Sequence, residues 1–146
     1  MYYLQTVELK IMEQDCIFCK IARKEIPARI IYESDNSIAF LDIAPATRGH
    51  TVVIPKVHFY NFLDMPVNLM KDFFLDVQKV SKLVLEKIGA KGFNLIQNNF
   101  EIAGQIVPHS HIHIIPRYEN DKVPQFSKDP DQAIPEKLDE VYQFFQ

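Results

Sequence analysis

No stretch of the chain approaches the ~20 consecutive apolar residues that a membrane-spanning helix needs. A basic excess is also missing: across 146 residues the net charge is −3, and the sequence pI is about 5.9. Without a positive field, nucleic acid and anionic membrane are excluded as expected partners. A small anion is not excluded, because a few local donors can hold it. Cysteine is scarce, with two residues in the whole chain, so a disulfide framework is not expected. The opening MYYLQTVELKIMEQD contains Glu8 and Glu13 and no long apolar core, which makes it a poor secretion signal. A reduced thiol pair and a cytoplasmic location are the matching expectations. Internal repeats and low-complexity tracts are absent as well.

What is present fits one ordinary folded domain, with 47% hydrophobic and 24% charged residues. The organisation reads as an extension over 1–14, a domain over 15–118, and a tail over 119–146 ending in a short helical pattern at 135–145. Ile30–Glu33 and Ser37–Leu41 are strand-like runs joined by the turn composition Ser34-Asp35-Asn36. Thr51–Ile54 is a third run, preceded by Gly49 and stopped by Pro55. Met70, Phe73, Phe74, Val77, Val80, Val84 and Ile88 recur at helical spacing, with Lys71, Asp72, Asp76, Lys79 and Lys82 opposite. Asp64, Pro66 and Gly89 mark the ends of that helix, over 66–88. Phe93–Asn98 and His109–Ile115 are two further strands, linked through Ala103-Gly104. The order predicts an α+β domain with an antiparallel sheet and the long amphipathic helix on one face.

His109-Ser110-His111-Ile112-His113 is the most informative stretch. On a strand, the three imidazoles share one face and Ser110, Ile112 and Ile114 share the other, the isoleucines under the helix. Three imidazoles are poor core material, since each needs a partner when buried. Taken alone, the row reads equally as a metal site or as a catalytic row.

Four segments, in order, carry a resemblance: Cys16–Ile21, Phe40–Ile43, Arg48–Lys56 and Gly104–His113. Together they closely resemble the histidine triad family of nucleotide hydrolases and transferases, near its phosphoramidase branch, over roughly residues 15–118. That resemblance implies an α+β fold with about five antiparallel strands, the long helix and a short N-terminal helix. It implies a homodimer, and the surplus of apolar residues on the long helix agrees. It also implies that His111 attacks the α-phosphorus of a purine nucleotide and forms a nucleotidyl-histidine intermediate. Imidazole suits this, being substantially unprotonated at neutral pH and still a good leaving group. His113 would donate to the phosphate oxygens, Gln105 would reach the phosphate from the glycine loop, and His50 would support the cluster. Asp42 would accept from the ribose hydroxyls, Asn98 would lie near the sugar-phosphate, and Phe18, Ile21, Phe40 and Ile43 would wall the base.

By the same resemblance, Cys16, Cys19, His58 and His109 would hold a structural zinc; the plainer reading is two reduced thiols packed as small hydrophobes. No organic cofactor is implied. Ile106 departs from the phosphoramidase branch, which commonly has serine or threonine after the glycine-glutamine pair, and an isoleucine cannot protonate a nitrogen leaving group. Other functions for the same residues are a dinucleoside polyphosphate hydrolase using His111, a catalytically idle nucleotide-binding signalling protein, and a pure metal-binding module. The last leaves Asp42 and Gly104-Gln105 without a purpose.

Overall fold

The structure, a computed structural model, describes residues 13–124 and 138–146. The N-terminal extension up to residue 12, and residues 135–137 of the expected C-terminal helix, lie outside the described residues. Five strands form one antiparallel sheet: β1 (Ile30–Glu33), β2 (Ser37–Leu41), β3 (Thr51–Pro55), β4 (Gly92–Ile96) and β5 (Ile112–Arg117), in the order β1-β2-β3-β5-β4. Helices among the described residues include α1 (Ile17–Ala22), α2 (Val67–Ile88) and α3 (Leu138–Tyr142). The β1–β2 hairpin closes as its composition predicts. Ser34 Oγ accepts from the backbone N–H groups of Asn36 and Ser37 at 3.1 and 3.0 Å.

Strand alternation divides the interior into two layers. Ala39, Val53, Ile112 and Ile114 face α2, where Phe73, Val77, Val80 and Val84 bury the helix stripe. Ile38, Phe40, Val52 and Ile54 face the other way and pack with Phe18, Ile21 and Ala22 of the short α1. Asp76 and Ser81 are the polar residues buried on α2, and Asp76 is the charged one. Its carboxylate accepts from Tyr32 Oη at 2.7 Å and from Ser34 Oγ at 2.5 Å, fastening helix to hairpin.

The end of α2 is as expected: Gly89 takes a left-handed φ of 72°, and its N–H donates to the Leu85 carbonyl. Its start differs. Asp64 does not cap α2 but lies in a separate 3-10 turn, Phe62–Asp64, whose own cap is Asn61, and Pro66 leads into α2 with no side-chain cap.

The bounds of two strands also differ. β4 spans Gly92–Ile96 rather than 93–98, and β5 begins at Ile112 rather than His109. Tertiary bonds take over where the ladder stops, with Ser110 N–H donating to the Phe59 carbonyl at 2.6 Å and His109 N–H to the Val107 carbonyl at 2.8 Å. His109 therefore leaves the row that a regular strand would give it.

The segment between β2 and β3 carries Asp42 and His50 and is pinned from several sides. Asp42 N–H donates to the His50 carbonyl, Thr47 Oγ1–H to the Pro116 carbonyl, and Tyr118 Oη–H to the Arg48 carbonyl. Gly49 sits at φ +84°, where a Cβ would come within 2.9 Å of Ile88 Cγ1. Only glycine combines that backbone with that approach to α2.

Candidate active site

Strand register assembles a row across the sheet. Phe40 pairs with Val52, Val52 with His113, and His113 with Ile96. This row lies on the α1 side, and there a cleft of about 830 Å³ opens. His111 and His113 line it with Asp42, and Phe18, Ile21, Phe40 and Ile43 form part of its apolar wall. The two histidine rings are edge to face, with centroids 5.0 Å apart, and Phe18 sets its ring 5.1 Å from that of His111.

Hydrogen bonds to backbone fix which nitrogen of each ring carries a proton, because a carbonyl only accepts and an N–H only donates. His111 Nδ1 lies 2.7 Å from the His109 carbonyl, so Nδ1 holds the proton and Nε2 keeps its lone pair. At His50 the polarity is reversed. Ala46 N–H donates to Nδ1 at 3.0 Å, which places the ring proton on Nε2, and Nε2–H donates to His113 Nδ1 at 2.8 Å. His113 is thereby left with its proton on Nε2. A bare nucleophilic nitrogen and an N–H donor thus stand on neighbouring rings.

Burial holds all three rings neutral. It lowers His111 and His50 below the ordinary imidazole range, the nearby Asp42 carboxylate opposing the shift at both. At His113, burial and then the neighbouring His111 and His50 lower the value to about 4, a preference on the order of 3 kcal/mol for the neutral ring. The sign follows: unfolded imidazoles take protons near pH 6.5 that the folded rings refuse, so this stability is present above about 6.5 and is lost as pH falls towards about 4. Titrated by NMR, the His113 ring should change charge only below pH 5. A midpoint near the free-histidine value would contradict the described packing.

Asp42 turns one oxygen to its own loop, Oδ1 accepting from Ala44 N–H at 2.8 Å, while Oδ2 lies 3.5 Å from His50 Nε2 and 3.8 Å from His113 Nδ1. Asp42, His50 and His113 are close enough to surround a cation. The His50 tautomer opposes that use, since its Nε2 carries the proton that such an ion would have to displace.

Two expected residues are placed elsewhere. Gln105 is buried, and its side chain is spent on backbone: Oε1 accepts from Phe100 N–H at 2.8 Å, and Nε2 donates to the carbonyls of Tyr60 and Val107. Phe100 sits at a positive φ of 71°, so Gln105 clamps a strained turn and does not face the cleft. Asn98 lies beyond the end of β4, where its Nδ2–H donates to the Gly104 carbonyl at 3.3 Å. The sequence reading missed the wall built by Ile17 and the segment Ile26–Arg29. Ile26, Pro27 and Ala28, an apolar trio just after the charged Arg23-Lys24-Glu25, were the available signal.

Behind the cleft, Cys16, Cys19, His58 and His109 converge, all four buried, with their donor atoms within 4.8 Å of one another. His109 Nε2–H donates to the Pro55 carbonyl at 2.9 Å, which frees Nδ1 to face the sulfurs. A tetrahedral zinc implies edges of about 3.3 Å between two nitrogens and about 3.6 Å between nitrogen and sulfur. The observed separations are 3.2 Å for His58 Nδ1–His109 Nδ1 and 3.3 to 3.5 Å for the nitrogen–sulfur pairs. Burial raises both thiols. The imidazoles of His109 and His58 beside it outweigh burial at Cys16, bringing that thiol to about 5, and the resulting charge adds to burial in pushing Cys19 up to about 12. The donor set fits zinc in type, number and spacing.

The HIT domain pattern matches residues 23–120. The chain belongs to the HIT family. An HIT-like protein of Methanocaldococcus jannaschii is 46% identical over 127 residues, covering 86% of this chain and 98% of its own. The adenosine 5'-monophosphoramidase of Schizosaccharomyces pombe is 44% identical over 102 residues, 70% of this chain and 74% of that protein. Among solved structures, a zinc-bound histidine triad family protein from Mycobacterium smegmatis superposes with a TM-score of 0.71 at 38% identity, covering 82% of this chain and 86% of that one. The family membership, the five-stranded antiparallel sheet, the long helix and the short N-terminal helix all agree with the sequence expectation.

Proposed function

We propose that this chain is a nucleotide hydrolase or transferase that acts at the α-phosphate of a purine nucleotide through a nucleotidyl-His111 intermediate. The observation that carries this reading is the lone pair on His111 Nε2, held in the cleft by the Nδ1–H bond to the His109 carbonyl. Nε2 forms a bond to phosphorus, and the bond to the leaving group breaks with its electron pair. Water then attacks the same phosphorus, returns the electron pair to Nε2 and gives up one proton. His113 Nε2–H donates to the non-bridging oxygens while charge redistributes. His50 orients that donor through its Nδ1. The activity named for the Schizosaccharomyces pombe relative supports the same chemistry. Rapid mixing with an α-labelled adenosine phosphate derivative, followed by alkaline quench, should trap label on His111. Turnover without a trapped adduct on the pre-steady-state timescale would refute the covalent route.

Cys16, Cys19, His58 and His109 would hold zinc as a structural ion, since four protein ligands leave no open position for substrate. Asp42 would receive the ribose. Removal of the 2′-hydroxyl deprives a charged acceptor of a partner, so ribonucleotides should exceed deoxyribonucleotides roughly tenfold in kcat/KM. Asp42→Ala should erase most of that ratio, and an unchanged ratio would remove Asp42 from the sugar site.

The nucleotide enzyme is also proposed to be a homodimer. Phe74 and Leu75 on α2, and Phe93, Leu95 and Ile96 on the edge strand β4, are exposed together, a combination suited to an isologous interface. Sedimentation equilibrium at micromolar concentration should give twice the chain mass; a monomer would refute the interface.

A further inference from the structure

Gln105 is the one buried residue between Lys91 and Pro108. Closing the exposed turn around it takes a single bond, to Phe100 N–H, yet the side chain makes two more. Nε2 donates to the Val107 carbonyl at 3.1 Å and to the Tyr60 carbonyl, and both routes lead to the same peptide unit. The Val107 carbonyl also accepts from His109 N–H at 2.8 Å, closing a three-residue turn about Pro108, whose ring fixes its own φ. That turn sets the direction in which the chain enters His109. The Tyr60 carbonyl is next in the chain to the Phe59 carbonyl, which accepts from Ser110 N–H at 2.6 Å. Ser110 N–H and the His109 carbonyl are the two ends of one planar peptide. The His109 carbonyl, in turn, accepts from His111 Nδ1–H at 2.7 Å. Gln105 thus braces that peptide from two sides: where the chain enters it, and where its N–H is held.

We propose that Gln105 is a positioning residue for the nucleophile: by bridging the Val107 and Tyr60 carbonyls, its amide orients the His109–Ser110 peptide and so keeps the His111 proton on Nδ1. The proposal rests on the nucleotidyl-transfer reading above. It is distinct from a contact between Gln105 and the phosphate. Both hydrogens of Nε2 are donated to carbonyls, so none is left for a phosphate oxygen. A neutral imidazole released from its acceptor shares its proton between the two nitrogens. Each ring with the proton on Nε2 has no lone pair there to attack phosphorus. A reacting nitrogen that is turned or displaced also costs rate without costing affinity.

The test reads the ring itself, by nitrogen NMR of the ligand-free, full-length protein at mildly alkaline pH. The two His111 ring nitrogens of the wild type should be well separated, one protonated and one bare. In Gln105→Met the two shifts should converge. Adduct formation from α-labelled adenosine phosphoramidate in a single turnover should slow by roughly tenfold to a hundredfold, with AMP affinity kept within a few fold. Gln105→Glu retains the acceptor for Phe100 N–H and loses the two donated bonds, so it should behave as Gln105→Met does. Wild-type shifts and rate in Gln105→Glu would assign the effect to the turn and overturn the proposal. Slower adduct formation with wild-type ring shifts would make Gln105 a phosphate contact, and an unchanged rate would leave it no part in the reaction; either result also overturns it. A measurement on the wild type does not depend on either variant folding. Addition of AMP should move the His113 ring resonances and leave the Gln105 side-chain amide in place, and an equal movement of that amide would refute the indirect role. A wild type that forms no adduct would refute nucleotidyl transfer, while the ring spectra would still decide where the His111 proton sits.

Discussion

His111→Ala should abolish turnover, with a loss of at least roughly a thousandfold, because the covalent route has no second nucleophile in reach. His113 Nε2 carries its proton and so has no lone pair to offer, while His50 spends both ring nitrogens on hydrogen bonds. Nucleotide affinity should survive within a few fold, since Asp42, Phe18 and Phe40 remain on the cleft wall. Alanine also leaves a void beside the rings of Phe18 and His113. His111→Asn is therefore the companion variant, polar and closer in size. Both should show no labelled adduct after quench and should bind nucleotide by calorimetry. More than a few per cent of wild-type rate in both variants would remove His111 as the attacking group.

Cys19→Ser should lose the metal and lower the melting temperature by roughly 10 °C. An ion present at a thousandfold over its dissociation constant adds about 4 kcal/mol to the folded state, and each kcal/mol shifts a chain of this size by about 2–4 °C. Cys16→Ser sharpens the test. Cys16 is also the N-cap of α1, with its sulfur accepting from Cys19 N–H at 3.5 Å. Serine caps a helix at least as well as cysteine does. A fall in stability in Cys16→Ser therefore reports the lost ligand and not the lost cap. Elemental analysis should find one zinc per wild-type chain and little in either variant. Wild-type protein purified without chelator and free of zinc would remove the ion from this site.

Much of this architecture was legible because it is periodic and local. β1 and β2 match their sequence bounds residue for residue, since alternation and the Ser34-Asp35-Asn36 turn both act within a few positions. The stripe on α2 is equally self-contained, and Gly89 marks its end through its own backbone preference. The misreadings fall where distant partners decide. His109 was assigned to a strand by alternation, yet the Pro55 carbonyl and the two sulfurs draw its ring out of the row. Gln105 looked like a phosphate contact, but its amide is consumed by Phe100, Tyr60 and Val107, and the strain that it holds at Phe100 has no signature in composition. The roles proposed for the four cysteine and histidine ligands came only from family resemblance. Spacing alone paired Cys16 with Cys19, and only the folded chain brings His58 and His109 beside them.

The carbonyl of His109 joins two parts of the molecule that are otherwise separate. Its own ring belongs to the sulfur cluster, while its oxygen accepts the proton that keeps His111 Nε2 bare. α1 is a helix of six residues, far too short to persist unaided, and Cys16 and Cys19 fasten it at the end from which Phe18 reaches the cleft. A disturbance of the two sulfurs would thus reach beyond their own cluster. Any shift of the His109 peptide would release the Nδ1–H of His111, and with it the fixed tautomer of that ring, while the sheet stayed intact.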